Sequence, residues 1–167
     1  MFRRRTSLGI QLVGFGTAAL VFIADQLSKL WVLQGLNLDD PASGGRIEVL
    51  PFFDLTMVWN VGISFGLFPA STLLLRIIFI VFSVAVSLYL GSWIWRAERR
   101  LRAIACGMII GGALGNALDR VLHGAVADFL DFSGLYFPWV FNIADAGISV
   151  GVVMLLLDFF MNGDESK

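Results

Sequence analysis

Asp128 and Asp145 are the residues of this chain with the strongest claim to chemistry. Each lies in an apolar stretch, Val126-Ala127-Asp128-Phe129-Leu130 and Phe141-Asn142-Ile143-Ala144-Asp145-Ala146, where an ionised carboxylate is costly unless it is paired or put to use. Two carboxylates brought together share one proton, because like charges in contact resist simultaneous ionisation, and such a pair can activate water. Further polar residues stand in apolar surroundings at helical spacing. Asp25 and Lys29 are four apart, Asn116 precedes Asp119 and Arg120, and Asn142 lies three before Asp145. On spacing alone, Asp25 with Lys29 reads as a structural ion pair. Asn116 fits interhelical hydrogen bonding and substrate contact equally, and Arg120 fits either a lipid phosphate or support of an aspartate.

The elements that must position these residues are membrane helices. In 167 residues, 57% are apolar and only 15% charged, far below the roughly 25% charged of soluble domains. Stretches long enough to cross a hydrocarbon core of about 30 Å occur at 8–33, 71–95, 101–122 and 139–161. The fold class expected is a polytopic α-helical membrane protein, one domain over 1–167, with four transmembrane helices and a small β element outside. The first apolar run follows Arg3-Arg4-Arg5 but continues through Asp25 to Trp31 without a convincing small-residue cleavage site, so an uncleaved span is expected.

Arg3-Arg4-Arg5 and Arg96, Arg99, Arg100 and Arg102 orient the chain with both termini and the 96–102 loop in the cytoplasm, and 37–70 and 123–138 outside. Within the outer segment at 37–70, Ile47-Glu48-Val49 and Phe53-Asp54-Leu55-Thr56-Met57 alternate as strands do. Gly107, Gly111 and Gly115 recur every four residues, with Gly112 beside them, a surface that lets another helix approach closely. This topology collects the stranded polar residues at the outer helix ends. A helical rise of 1.5 Å per residue from Trp139 would place Asp145 about 9 Å below the interface, with Asp128 swung against it by the connection through Ser133, Gly134 and Pro138. Asp54 and Asp131 are expected to be solvated, and Asp158 to be a paired or water-facing acid near the cytoplasmic surface.

A net charge of −1 gives no overall basic field, so nucleic acid is not an expected partner. One cysteine and one histidine, Cys106 and His123, exclude an intrachain disulfide and a Cys/His zinc cluster. Cys106 reads as a small buried hydrophobe and His123 as a loop residue at a helix end. A metal held by Asp119, Asp128 and Asp145 is disfavoured by Lys29 and Arg120, so neither metal nor other cofactor is expected.

Five blocks together resemble the lipoprotein signal peptidases, the signal peptidase II family. They are Asp25-Gln26-Leu27-Ser28-Lys29, the run from Asn60 to Gly66, the run from Gly111 to Arg120, Val126-Ala127-Asp128-Phe129 and Phe141-Asn142-Ile143-Ala144-Asp145. The resemblance implies an aspartic endopeptidase of the bacterial inner membrane that cuts diacylglyceryl-modified prolipoproteins just before the lipidated cysteine. It assigns Asp128 and Asp145 to catalysis. It puts Asp25, Asn60, Asn116, Arg120 and Asn142 around the dyad or against substrate; Lys29 and Asp119, beside them in the same blocks, are expected from their spacing to support the site. It also implies a small outer β-sheet and inhibition by globomycin-type cyclic peptides; membrane lipid is a further expected partner, and a functional monomer is expected. Asn60, Asn116 and Asn142 are candidate donors to a tetrahedral intermediate. The rival from another class is a proton-coupled transporter or channel, which would distribute polar residues through the membrane and often repeat its halves. This chain has one outer cluster and no visible repeat.

Overall fold

The computed structural model describes residues 8–62 and 73–162. Four helices are long and apolar enough to cross a membrane, at Leu8–Gly35, Leu73–Arg96, Arg100–Leu122 and Ile143–Met161. We number the α-helices α1 (Leu8–Leu30, continued by a π-turn over Trp31–Gly35), α2 (Leu73–Arg96), α3 (Arg100–Leu122) and α4 (Ile143–Asn162). The part of the Asn60 block from Ile63 to Gly66, and Ser71 and Thr72 of the second expected span, lie outside the described residues.

The helices sort by side-chain size and polarity. α3 is two-thirds buried over its span, against 11–22% for the other three, and it packs on α1, α2 and α4. Its small residues make this possible. A Cβ at Gly107 would strike the Gly14 carbonyl, one at Gly111 the Ala18 carbonyl, and one at Gly112 the Ala144 carbonyl. The stripe therefore brings α1 and α4 onto α3 at backbone contact, as small-residue helix faces do in lipid, where burial in an apolar solvent offers little drive. Cys106 is wholly buried in this packing, beside Ala18, Ile109 and Ile110. The outer faces of α2 and α4 keep large apolar side chains exposed, among them Leu74, Phe82, Leu88 and Phe160, as lipid-facing surfaces require.

The β element is larger than the alternation after Arg46 implied. β1 (Arg46–Leu50), β2 (Phe53–Asn60), β3 (Val126–Asp131) and β4 (Val140–Phe141) form one antiparallel sheet in the order β1-β2-β3-β4. The segment between α3 and α4 thus supplies two strands, and Asp128 sits on a strand rather than in an irregular connection. β4 also corrects the fourth span. Val140–Phe141 form a strand and α4 starts only at Ile143, so a helical rise from Trp139 does not apply and Asp145 lies in the first turn of α4. Asp54 and Asp131, expected to be solvated, are each 7% exposed. The sheet buries them and partners them: Asp54 pairs with Arg46, and Asp131 accepts from Thr56 Oγ1 at 2.7 Å and Ser133 N at 2.9 Å.

Gly112→Ala should overpack the α3–α4 contact and cost about 1–3 kcal/mol of stability, whereas Gly16→Ala, where nothing lies within 4 Å of an added Cβ, should be tolerated. Unfolding of the two variants in mixed micelles checks this, and equal stabilities would remove the close-contact account.

Candidate active site

Asp128 is held by its strand neighbour and by the start of α4. In the β2–β3 register Asn60 faces Val126 and Val58 faces Asp128, so Asn60 and Asp128 are diagonal on one face and within side-chain reach. Asn60 Nδ2 donates to Asp128 Oδ2 at 3.0 Å, and Asn60 Oδ1 accepts from Gly62 N at 3.0 Å. On the other carboxylate oxygen, Asn142 Nδ2 donates to Oδ1 at 2.7 Å. Asp128 is 2% exposed and Asn142 wholly buried.

Asp145 is placed by the helix cap. Asn142 precedes the first residue of α4, and its Oδ1 accepts from Asp145 N at 2.9 Å; in return Asp145 Oδ2 lies 3.4 Å from Asn142 N. This is the reciprocal arrangement of a capping box, with an aspartate at the third helical position. Asn116 Nδ2 donates to Asp145 Oδ1 at 2.8 Å, while Asn116 Oδ1 accepts from Asn142 Nδ2 at 3.1 Å. Asn142 therefore touches Asp128 through its amide and fixes Asp145 through its cap, which brings the two carboxylates around one side chain.

Behind them lies a buried ionic cluster. Lys29 Nζ is 2.7 Å from Asp25 Oδ2, 2.8 Å from Asp119 Oδ2 and 3.2 Å from Asn116 Oδ1. All three charged side chains are at most 4% exposed. Asp25 Oδ1 accepts from Ala144 N at 3.0 Å, and Asp119 Oδ2 accepts from Ala127 N at 3.1 Å. Those two amides belong to the residues immediately before Asp145 and Asp128. One lysine thus joins the two carboxylates that fix the backbone on either side of the site.

The structure brings together the expected site residues: Asp25, Lys29, Asn60, Asn116, Asp119, Arg120, Asn142, Asp128 and Asp145. Among the described residues the hydrogen bonds of Arg120 go to backbone carbonyls. Its guanidinium donates to the carbonyls of Asn116, at 3.2 Å, and Gly62, at 2.9 Å, and lies 5.2 Å from the Phe79 ring centroid. It ties α3 to the chain just past Asn60. Each of the three asparagine amides donates to a carboxylate of the site. Gln26 was not singled out, yet its Nε2 donates to both Asp25 Oδ2 and Asp119 Oδ1 at 3.1 Å; a polar residue between Asp25 and Lys29 was the available signal. Asp158 lies at the opposite end of the bundle, paired with Arg102.

Burial pushes the Asp128 carboxyl up to about 7, with the Asp145 charge adding to it and the Asn60 amide, the Lys29 charge and the Asn142 amide working against it. A carboxyl tuned in this way beside a second one can hold a proton at neutral pH and donate it. That is acid–base chemistry on water.

Comparison with known proteins agrees with this chemistry. A family model described as signal peptidase (SPase) II matches residues 17–161. The chain is 50% identical over 156 residues to a lipoprotein signal peptidase of Caulobacter vibrioides, covering 93% of this chain and 90% of that protein. It is 45% identical over 148 residues to one of Rhodopseudomonas palustris, covering 86% and 87%. Two solved bacterial membrane enzymes share the fold. One has a TM-score of 0.79 at 24% identity, covering 100% of this chain and 97% of that one. The other has a TM-score of 0.72 at 27% identity, covering 95% and 97%.

Lys29→Met leaves Asp25 and Asp119 as buried, unpaired like charges, and should cost about 3–5 kcal/mol. Adding Asp119→Asn should restore part of that loss, because it removes one of the stranded charges. Unfolding of both variants in mixed micelles is the measurement, and a Lys29→Met protein of unchanged stability would contradict the clamp.

Proposed function

The chain belongs to the signal peptidase II family, and we propose that Asp128 and Asp145 are the aspartates with which it cuts. The activity is hydrolysis of the peptide bond that joins a signal peptide to a prolipoprotein, and the chain is a multi-pass membrane peptidase. Membership in a peptidase family replaces the transporter reading. The observation that carries the assignment is the shared asparagine: Asn142 holds Asp128 through its amide at 2.7 Å and Asp145 through its cap at 2.9 Å.

The two carboxylates differ in surroundings, and this sets their roles. Asp128 is buried and raised to about 7, so it carries the proton. Asp145 is half-buried and sits in the first turn of α4, where the positive end of the helix dipole favours negative charge. It is the base. In the proposed reaction a water between the two loses its proton to Asp145 and its oxygen bonds to the scissile carbonyl carbon. The Asp128 proton meanwhile hydrogen-bonds the carbonyl oxygen as that oxygen gains charge. Collapse of the tetrahedral intermediate breaks the C–N bond, and the proton held by Asp145 passes to the leaving amine. Asn60, Asn116 and Asn142 hold the dyad carboxylates in place. Asp25, Lys29 and Asp119 fix the backbone behind them, and Arg120 fixes the chain beside Asn60.

The substrate we propose is the diacylglyceryl-modified prolipoprotein, cut before its lipidated cysteine. The support is positional: the dyad lies where β3 meets the first turn of a membrane helix, so two acyl chains can stay in lipid while the adjoining peptide bond reaches water. The arginine-rich 96–102 loop and amino terminus support a cytoplasmic location for both termini and an inner-membrane site facing the periplasm. We propose a functional monomer. Family resemblance supports inhibition by globomycin-type cyclic peptides.

Asp128→Asn and Asp145→Asn should each abolish cleavage of a diacylated lipobox peptide while leaving a folded protein, with the double variant no worse than either single one. The same peptide with an unmodified cysteine should be a poor substrate for the wild type. Near-normal turnover by either variant would remove that aspartate from the dyad, and equal cleavage of the two peptides would reject lipid anchoring.

The acid role of Asp128 predicts an alkaline limb. A proton bound below about 7 is lost as pH rises through that value, so kcat/KM for the lipidated peptide should fall above about pH 7. A profile that stays flat from pH 6 to 9 would mean that Asp128 is not the proton donor.

A further inference from the structure

At the far end of the bundle from the dyad, α2, α3 and α4 enclose a groove of about 540 Å³. Its walls are apolar, with Trp93 from α2 and Leu155 and Phe159 from α4, and its mouth carries Arg96, Arg102 and Asp158. Arg102 and Asp119 are 17 residues apart on α3, about 26 Å at 1.5 Å per residue, so the groove and the dyad are separated by nearly a hydrocarbon thickness. We propose that this groove is a binding site for an anionic phospholipid of the cytoplasmic leaflet.

The mouth is built to receive an anion. Asp158, 2% exposed, accepts from Arg102 Nε at 2.8 Å, which orients the guanidinium. Its two terminal nitrogens are not used in that bond, and the Arg102 side chain is 43% exposed. A planar fork held by one edge presents the other as a bidentate phosphate ligand. Arg96 is exposed at the last residue of α2, beside the same opening. The stretch 96–102 carries Arg96, Arg99, Arg100 and Arg102 against Glu98, so the opening stays cationic after Asp158 has neutralised one arginine.

The occupant follows from combining that charge with the walls. A free phosphate would satisfy the arginines and leave the apolar groove unused. A zwitterionic lipid would bring its own ammonium into a cationic mouth. An anionic phospholipid matches both halves, with its phosphate on Arg96 and Arg102 and an acyl chain along Leu155 and Phe159. Basic openings between membrane helices at the cytoplasmic surface are of the type that holds acidic headgroups. The leaflet rests on the topology proposed above; the binding chemistry does not.

The test is native mass spectrometry of the detergent-solubilised protein titrated with palmitoyl-oleoyl phosphatidylglycerol, with the phosphatidylcholine of the same chains and glycerol 3-phosphate as comparisons. The wild type should retain phosphatidylglycerol at least tenfold more tightly than phosphatidylcholine, and glycerol 3-phosphate should not compete at lipid-equivalent concentration. Arg96→Gln should weaken that retention several-fold, and Arg96→Gln with Arg102→Gln should remove the preference. Cleavage of the lipidated peptide in detergent should persist in Arg96→Gln, which shows that the protein is folded and separates this site from the dyad. Equal retention of the two lipids, full competition by glycerol 3-phosphate, or an unchanged preference in the double variant would each overturn the proposal.

Discussion

A lysine buried between two aspartates is the constraint from which the rest of the site follows. Lys29, Asp25 and Asp119 are at most 3% exposed as residues, and burying three charges costs far more than their attraction returns unless the remaining lone pairs and protons are also satisfied. Here the partners are Gln26, Asn116 and two backbone amides. Those amides are Ala144 N and Ala127 N, each one residue before an aspartate of the site. Satisfying the ions and aiming the dyad are therefore the same set of hydrogen bonds. A scaffold that lost its charge balance would lose its aim with it.

That cluster exists only because the helices come close enough to share it. A Cβ at Gly115 would meet Asp25 Oδ2 at 2.5 Å, so the glycine leaves room for the carboxylate against the backbone of α3. Gly112 lets Ala144 approach the same helix, and Ala144 N is the donor to Asp25. The stripe first read as packing thus also sets the distance between Asp25 and the cap of α4. Packing and electrostatics meet at these two glycines.

The spans, the β1–β2 hairpin and the polar cluster were legible because each leaves a local signal: apolar length, alternation, and charge stranded in apolar sequence. What escaped the sequence depends on contacts distant in the chain. β3 reads as an apolar run interrupted by Asp128 and ending at Asp131, and its strand character comes from pairing with β2, 68 positions earlier at Asn60 and Asp128. β4 is two residues long and shows no alternation, so apolar length alone starts α4 four residues early. Asp54 and Asp131 looked solvated because their partners, Arg46 and Thr56, come from a different strand or from across the sheet. Asn142 and Asp145 carried more than their spacing alone conveyed, since a cap residue three before an acid is a helix-start signature.

In the proposed mechanism two aspartates of the same type become an acid and a base through differences in surroundings. Asp128 lies on a strand, where burial draws its carboxyl toward neutrality against the pull of the Asn60 and Asn142 amides. Asp145 lies at the N-terminus of a helix, half-buried and facing the backbone positive end. A sheet residue and a helix-cap residue have unlike electrostatic environments by construction, so a site assembled at the junction of β3 and α4 is asymmetric before any substrate arrives. The asymmetry is what allows one shared proton to have a preferred owner, and it requires both elements: a dyad made from two strands, or from two helix interiors, would lack the helix-end field that separates the partners.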